Sequence, residues 1–188
     1  MTWLLVPAAA AVLVWTVVIY NRLVGLDKRT QGAWADIDAQ LKRRHDLVPA
    51  LVETVSGYAR YEKQTLAEVV ARRGAAVASG AGGVPGTEVV HLENLLAGSL
   101  KSLFVLAEAY PELRASERFG QLQQQLVEIE GALQNARRYY NAVVRDFNTA
   151  QQRFPDLLVA RPFGFGTRRY FELDSPLERA VVKVEIDV

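Results

Sequence analysis

An all-α protein is predicted. Its N-terminal transmembrane helix continues into an antiparallel bundle of long helices, and a short, β-like tail ends the chain. Three observations predict this. Residues 3–20, WLLVPAAAAVLVWTVVIY, carry no charged side chain. Residues 116–154 place apolar side chains at alternating steps of three and four. Clean strand-like alternation is confined to the last eight residues, VVKVEIDV. The expected organisation is an anchor over 1–22, a bundle over 23–160 with a flexible loop at 74–87, and a tail over 161–188.

The anchor is argued from length and flanks. Eighteen helical residues rise about 27 Å, close to the roughly 30 Å of a bilayer's hydrocarbon core. Trp3 at one end, and Trp15 with Tyr20 near the other, are placed as interfacial aromatic anchors. A signal peptide would want a basic start and a small-residue cleavage site, whereas this run ends in Ile19-Tyr20-Asn21-Arg22. Arg22, Lys28 and Arg29 come directly after the run, so the positive-inside bias puts the N-terminus outside and the main domain in the cytoplasm. The expected location is the inner membrane, crossed once.

Helical spacing continues through Leu23, Leu26, Trp34, Ile37, Leu41, Val48, Val52, Val55 and Ala59, which predicts one helix running towards Arg73. Pro49 lacks the N–H that would meet the carbonyl of His45, so a kink is expected there. GAAVASGAGGVPGTE (74–88) is loop chemistry, with Thr87 as a cap for a helix reaching Ala109. Pro111 breaks the chain again, and Ser116 caps the next helix. The long seam then runs from Phe119 through Leu122, Leu126, Ile129, Leu133, Ala136, Tyr140, Val143, Phe147 and Ala150 to Phe154, and Pro155 ends it. Only the first bundle helix is long enough to pair with it. In the tail, Val182, Val184, Ile186 and Val188 alternate with polar residues. This segment pairs with RRYFEL (168–173), pairs with another subunit, or stays disordered.

Composition narrows the chemistry. The 188 residues hold 22 Lys and Arg against 21 Asp and Glu, a net charge of +1, which gives no argument for a nucleic-acid partner. Cysteine is absent, which removes disulfides, thiolate metal sites and cysteine nucleophiles. His45 and His91 are the two histidines. His45 falls near the apolar line and reads as a partly buried core residue. Glu88-x-x-His91 matches one half of a di-iron bundle motif, which needs a second pair and two further glutamates. No catalytic residue, cofactor or metal is therefore expected. Asp38, Lys42 and Asp46 fall on one helical face, beside Arg43, and form a solvated or interhelical charge ladder. The doublets Arg43-Arg44, Arg72-Arg73, Arg137-Arg138 and Arg168-Arg169 read as solvated faces or salt-bridge partners. Aromatics of PFGFG (162–166) are expected to pack over the bundle end. Asn141 and Asn148 lie one position round from the seam and one heptad apart, where a neighbouring helix would meet them as register-setting polar rungs.

Several of these stretches carry a family likeness: Trp34-x-x-Ile37-Asp38, Gln40 to Arg44, Asp46-Leu47-x-Pro49 with Leu51-Val52, Glu108 to Pro111, Ala136-Arg137 with Tyr140-Asn141, and Phe154-Pro155. From Tyr20 to about Phe171, apart from the Gly/Ala-rich loop, the chain closely resembles the LemA family of bacterial membrane proteins. The resemblance implies an outside N-terminus, one transmembrane helix and a cytoplasmic bundle of long helices. It supplies no reaction and no catalytic residues, and the family's frequent gene neighbours suggest a membrane-protein partner such as a protease. ERAVVKVEIDV at the end of the chain does not match the family pattern. The expected function is a non-enzymatic scaffold that self-associates at the cytoplasmic membrane face, with the lipid bilayer as its first partner. The alternative is an adaptor for another membrane protein, and a metal-dependent enzyme around Glu88 and His91 ranks last.

Overall fold

The computed structural model describes residues 2–59, 61–80 and 86–171, and among these every regular element is a helix. The first, α1 (Thr2–Tyr58), has 57 residues and is about 86 Å long. Its surroundings change along its length while its backbone does not. Trp3, Leu5, Val6, Val12, Leu13, Val14, Val17 and Val18 stand exposed, which in water would be unfavourable and in a bilayer is the expected state. From Ile19 onward one face is buried, through Leu23, Ala33, Trp34, Ile37, Leu41, Val48, Leu51 and Val55.

α1 runs through Pro49 without ending. Arg73 Nε donates to the His45 carbonyl at 2.7 Å, so the acceptor that proline leaves without its helical donor is satisfied from another helix. The expected run to Arg73 is corrected. α1 stops at Tyr58, and α2 (Lys63–Gly80) doubles back beside it. A straight continuation would carry Leu66, Val69 and Ala76 past the end of the bundle into water. Folding back puts Val69 and Ala76 in the core. Burial of Ala76 also explains why residues 74–80 are helical although their composition predicts a loop.

α3 (Thr87–Glu108) returns alongside α2, burying Val89, Val90, Leu96, Leu100, Leu103 and Ala107. It is long and apolar enough to cross a membrane, but its apolar face is spent on the bundle core. Thr87 opens the helix rather than capping it; the cap position belongs to Gly86, in an extended conformation. A short α4 (Pro111–Arg114) turns the chain into α5 (Glu117–Gln152), whose cap Ser116 accepts from the Phe119 N–H. With 36 residues, α5 is about 54 Å long. It lies antiparallel to α1: Arg118 pairs with Glu53, Trp34 packs on Tyr140, and Ile19 shares a cluster with Ala150. The seam is buried from Phe119 to Ala150, with Ala136 partly so, while Phe154 is 74 % exposed. The helix has ended by then, so helical spacing no longer decides where its side chain points.

Four helices thus make an up-down-up-down bundle far from the N-terminus, and α1 with α5 alone extend from it as a two-helix stalk towards the apolar segment. At the stalk's end the four-residue α6 (Leu157–Ala160) packs Val159 and Ala160 against Ile19 and Leu23. Gly164, at φ +74°, then reverses the chain. The Phe165 N–H bonds the Ala160 carbonyl and the Gly164 N–H that of Arg161, a left-handed helix stop that favours glycine. Residues 165–171 run back along the stalk as an extended strap.

Leu133→Ala empties a fully buried seam position and is expected to cost about 2–5 kcal/mol in denaturant unfolding of the full-length protein in mild detergent. Phe154→Ala should stay within about 0.5 kcal/mol of wild type.

Candidate functional site

Two arrangements of polar side chains stand out, one inside the bundle and one along the stalk. The first is centred on Arg44, which is fully buried. Its place comes from spacing. In α1 the step of seven between Leu41 and Val48 is split at Arg44, three beyond one and four before the other, so the guanidinium occupies a core position. The two readings of this doublet divide between its members: Arg43 is exposed and bonds Gln40, while Arg44 points inward as a salt-bridge partner.

Arg44 Nη2 meets Glu93 Oε2, and Arg44 Nη1 lies 2.9 Å from Glu130 Oε1, so α1 is tied to α3 and α5 at one level. Glu93 is itself buried and holds a core-spaced position between Val89 and Leu96. Its other oxygen accepts from His45 Nε2 at 2.8 Å. Burial alone would push the Glu93 carboxyl up, but the His45 hydrogen bond and the Arg44 charge outweigh it and hold it below its ordinary 4.5. Since an ionised carboxylate only accepts, the proton of this bond sits on His45 Nε2. Arg137 completes the cluster. Burial, reinforced by the Arg44 charge, pulls its guanidinium down to about 10 against Glu130 and Glu93, so it stays charged at neutral pH. Its Nε and Nη2 have no hydrogen-bond partner among the described residues, and the group lies instead over the Phe171 ring, 4.4 Å from its centre.

The second arrangement is an asparagine clamp. Asn141 and Asn148, expected to meet a neighbouring helix, meet the strap instead. Asn148 Nδ2 donates to the Arg168 carbonyl at 2.9 Å, and its Oδ1 accepts from the Arg168 N–H at 2.8 Å. Asn141 does the same with Phe171, at 3.0 and 2.8 Å. Between them Tyr140 donates its hydroxyl to the Arg169 carbonyl at 2.9 Å, and burial raises its pKa. The spacing is commensurate. Seven helical residues advance about 10.5 Å and three extended residues about 10 Å, so two amides one heptad apart reach backbone groups three residues apart. Asp27 fixes the strap from α1, accepting from Arg168 Nη2 at 2.6 Å, and Phe171 is buried against Trp34.

The remaining candidates distribute simply. Trp3, Trp15 and Tyr20 are exposed on α1 at the stalk end. Tyr20 packs tilted against Phe163 and edge-on against Phe165, and the two aromatics of PFGFG divide: Phe165 also packs on Phe147, while Phe163 stays largely exposed. Arg22 pairs with Asp156 at 3.0 Å, Lys28 bonds Gln31, and Arg29 is exposed. Asp38, Lys42, Arg43 and Asp46 are exposed too, and no ion pair forms between them among the described residues. Glu88 and His91 are also exposed, and no three metal-ligating side chains converge among the described residues. Val182, Val184 and Ile186 lie outside those residues. Glu93, Glu130 and Asp27 escape a reading of the sequence alone, while Arg168 takes the salt-bridge reading given for its doublet. A charged residue at a core-spaced position is the available signal for Glu93, as for Arg44.

Two outcomes are expected. A folded-state pKa below the ordinary value means the unfolded chain binds the proton first. The Glu93 contribution is therefore whole above about pH 4.5 and is lost as pH falls through the folded value. Glu93→Gln should cost about 3 kcal/mol at pH 7 and flatten the acid limb of a stability-against-pH profile. Asn148→Ala should cost about 1–3 kcal/mol, and hydrogen exchange at the Arg168 amide should quicken before that of α5.

The model of the LemA family matches residues 33–186 and so reaches into ERAVVKVEIDV (178–188), which corrects the expectation that this segment falls outside the family pattern. Among curated proteins, Magnetosome protein MamQ 2 and Magnetosome protein MamQ 1 of Paramagnetospirillum magneticum are each 22 % identical to this chain, over 81 % of it and 64 % of the relative. Magnetosome protein MamQ of Magnetospirillum gryphiswaldense is 21 % identical with the same coverage. The chain thus spans a little under two thirds of the length of these relatives. None of these names is that of an enzyme. An apolar, exposed N-terminal helix running into a helical bundle, together with a family match over most of the chain, makes this a membrane-associated helical protein that belongs to the LemA family.

Proposed function

We propose that this protein is a non-enzymatic scaffold, held at the cytoplasmic membrane face by α1 with its N-terminus outside, and that it self-associates there. One observation carries the reading: α1 is unbroken from the exposed apolar run to the top of the bundle, so one continuous helix joins membrane segment and bundle. The charged interior supports it, because Arg44 and His45 are both bound to Glu93, and Arg44 and Glu93 are buried. Val70 and Val77, exposed one heptad apart on α2, offer an apolar stripe to a second copy.

The mass of the full-length protein in mild detergent, with and without residues 174–188, tests this. A uniform multimer is expected, and its loss on truncation would assign the contact to the tail. Monomers in both samples would overturn self-association.

A second reading, an adaptor for a membrane protease or other membrane-protein partner, is favoured by the exposed face of Asp38, Lys42, Arg43 and Asp46. These charges are not used up in pairing with one another. Reversing Asp38 and Arg43 together should abolish co-purification of the partner and leave the unfolding midpoint unchanged; an unaltered pull-down would sink the adaptor.

A further inference from the structure

A cleft of about 650 Å³ opens on the stalk between α1 and α5, and its lining is strongly basic. Arg22 and Arg29 come from α1, Arg145 from α5, and Arg153 from just beyond α5's end. Asp146 is the one carboxylate of the lining, and it is engaged loosely by Arg145 at 4.0 Å. Arg22 is paired with Asp156. Arg29 and Arg153 make no ion pair among the described residues. Thr149 adds a hydroxyl on the same wall, and Gly25 leaves the opposite wall bare, a Cβ there meeting nothing within 4 Å. Arg29 and Arg153, with no ion pair of their own among the described residues, leave the cleft net positive, and forked N–H donors suit phosphate oxygens.

The cleft's position in the fold says where such an anion comes from. Exposed apolar side chains on α1 run to Val18, so Arg22 stands about 6 Å beyond the hydrocarbon edge, within the depth of lipid headgroups. Arg153, which lines the same cleft from the neighbouring end of α5, lies beside it. A separate observation marks this end as membrane-facing: Phe154, Leu158 and Phe163 are all exposed there, around the tip of the stalk, with Phe163 against Tyr20 at the end of α1's apolar run. Apolar side chains below and arginines above are the order in which a bilayer presents acyl chains and phosphates.

We propose that the Arg22–Arg29–Arg145–Arg153 cleft is a binding site for the phosphate-bearing headgroup of one anionic phospholipid, whose acyl chains lie against the exposed face of α1 beside Leu158 and Phe163. The site rests on the membrane association of α1. It adds to it a specific lipid, gripped by the bundle as well as by the anchor.

The test uses full-length protein in mild detergent, titrated with short-chain phosphatidylglycerol, phosphatidylcholine, or glycerol phosphate. Lipid adducts are counted by native mass spectrometry, and the unfolding midpoint is measured in parallel. Phosphatidylglycerol should form a one-to-one adduct and raise the midpoint, with phosphatidylcholine doing neither. Each arginine removed should weaken binding about fivefold, so Arg29→Gln, Arg145→Gln and Arg153→Gln together weaken it about a hundredfold. A control of equal charge, Lys63→Gln, Lys101→Gln and Arg114→Gln at exposed positions of α2, α3 and α4, should bind as wild type.

Equal adducts with both lipids, or equal loss in the control, would overturn the site. Glycerol phosphate raising the midpoint as far as phosphatidylglycerol would overturn the lipid assignment in favour of a soluble phosphate. Failure of membrane association itself would appear separately, as wild-type protein that stays dispersed without detergent.

Discussion

The buried guanidinium of Arg44 sets the terms for the rest of the bundle. A charge removed from water costs several kcal/mol and is tolerated only with partners at the right height. Glu93 on α3 and Glu130 on α5 are those partners, so the three helices can be assembled in only one axial alignment without stranding a charge. Apolar contacts alone are less exacting about a slip by a turn, because apolar side chains recur along the buried faces of both α1 and α5. The ion pair does not, and a polar group of this kind serves register better than it serves stability. His45 and Pro49 belong to the same knot: the imidazole bonds Glu93, and the carbonyl that Pro49 leaves without a helical donor is taken by Arg73 of α2. The other three long helices therefore all meet the short stretch of α1 around residues 44–49.

The stalk solves a different problem. Two helices bury only one stripe each, and α2 and α3 do not reach the membrane-directed half of α1 and α5. The strap supplies the missing third surface. An extended segment cannot satisfy its own backbone groups, and one lying on a helix has no strand beside it. Asn141, Asn148 and Tyr140 provide the donors and acceptors that a strand would have offered, while Phe165 and Phe171 bury against Phe147 and Trp34. Arg137, poorly satisfied by hydrogen bonds, gains the face of Phe171. The charge knot and the strap are thus joined through one side chain.

At the tip, the same turn that begins the strap exposes Leu158 and Phe163 beside the anchor, and the end of α5 brings Arg153 to the level of Arg22. Membrane segment, tip and basic cleft are consequently arranged by a single piece of chain, residues 145–163, folded against the start of the stalk.

The helical class, the apolar run and the α5 seam were legible because each depends on local periodicity, which a single stretch of sequence displays. Leu133 or Phe147 could be assigned to the core from its neighbours three and four residues away. The clamp was half legible: Asn141 and Asn148 stood out by their spacing, but nothing local to α5 says whether a helix or an extended strap meets them. That depends on residues 165–171, which have no regular period. The turn after Tyr58 was hidden for a related reason, since helical spacing continues across it and only the burial of Val69 and Ala76 makes folding back favourable. Arg44 and Glu93 each sat visibly on an apolar line. Their pairing across 49 positions of chain, like the meeting of Arg29 with Arg145, is a property of the antiparallel packing. The sequence by itself determined most of the helical stretches and their apolar faces, because those follow from neighbours along the chain, whereas the break after Tyr58 and the helical state of residues 74–80 follow from burial against other helices. The tertiary structure decided which charges are buried together and which remain open to an anion, because those depend on neighbours across the chain.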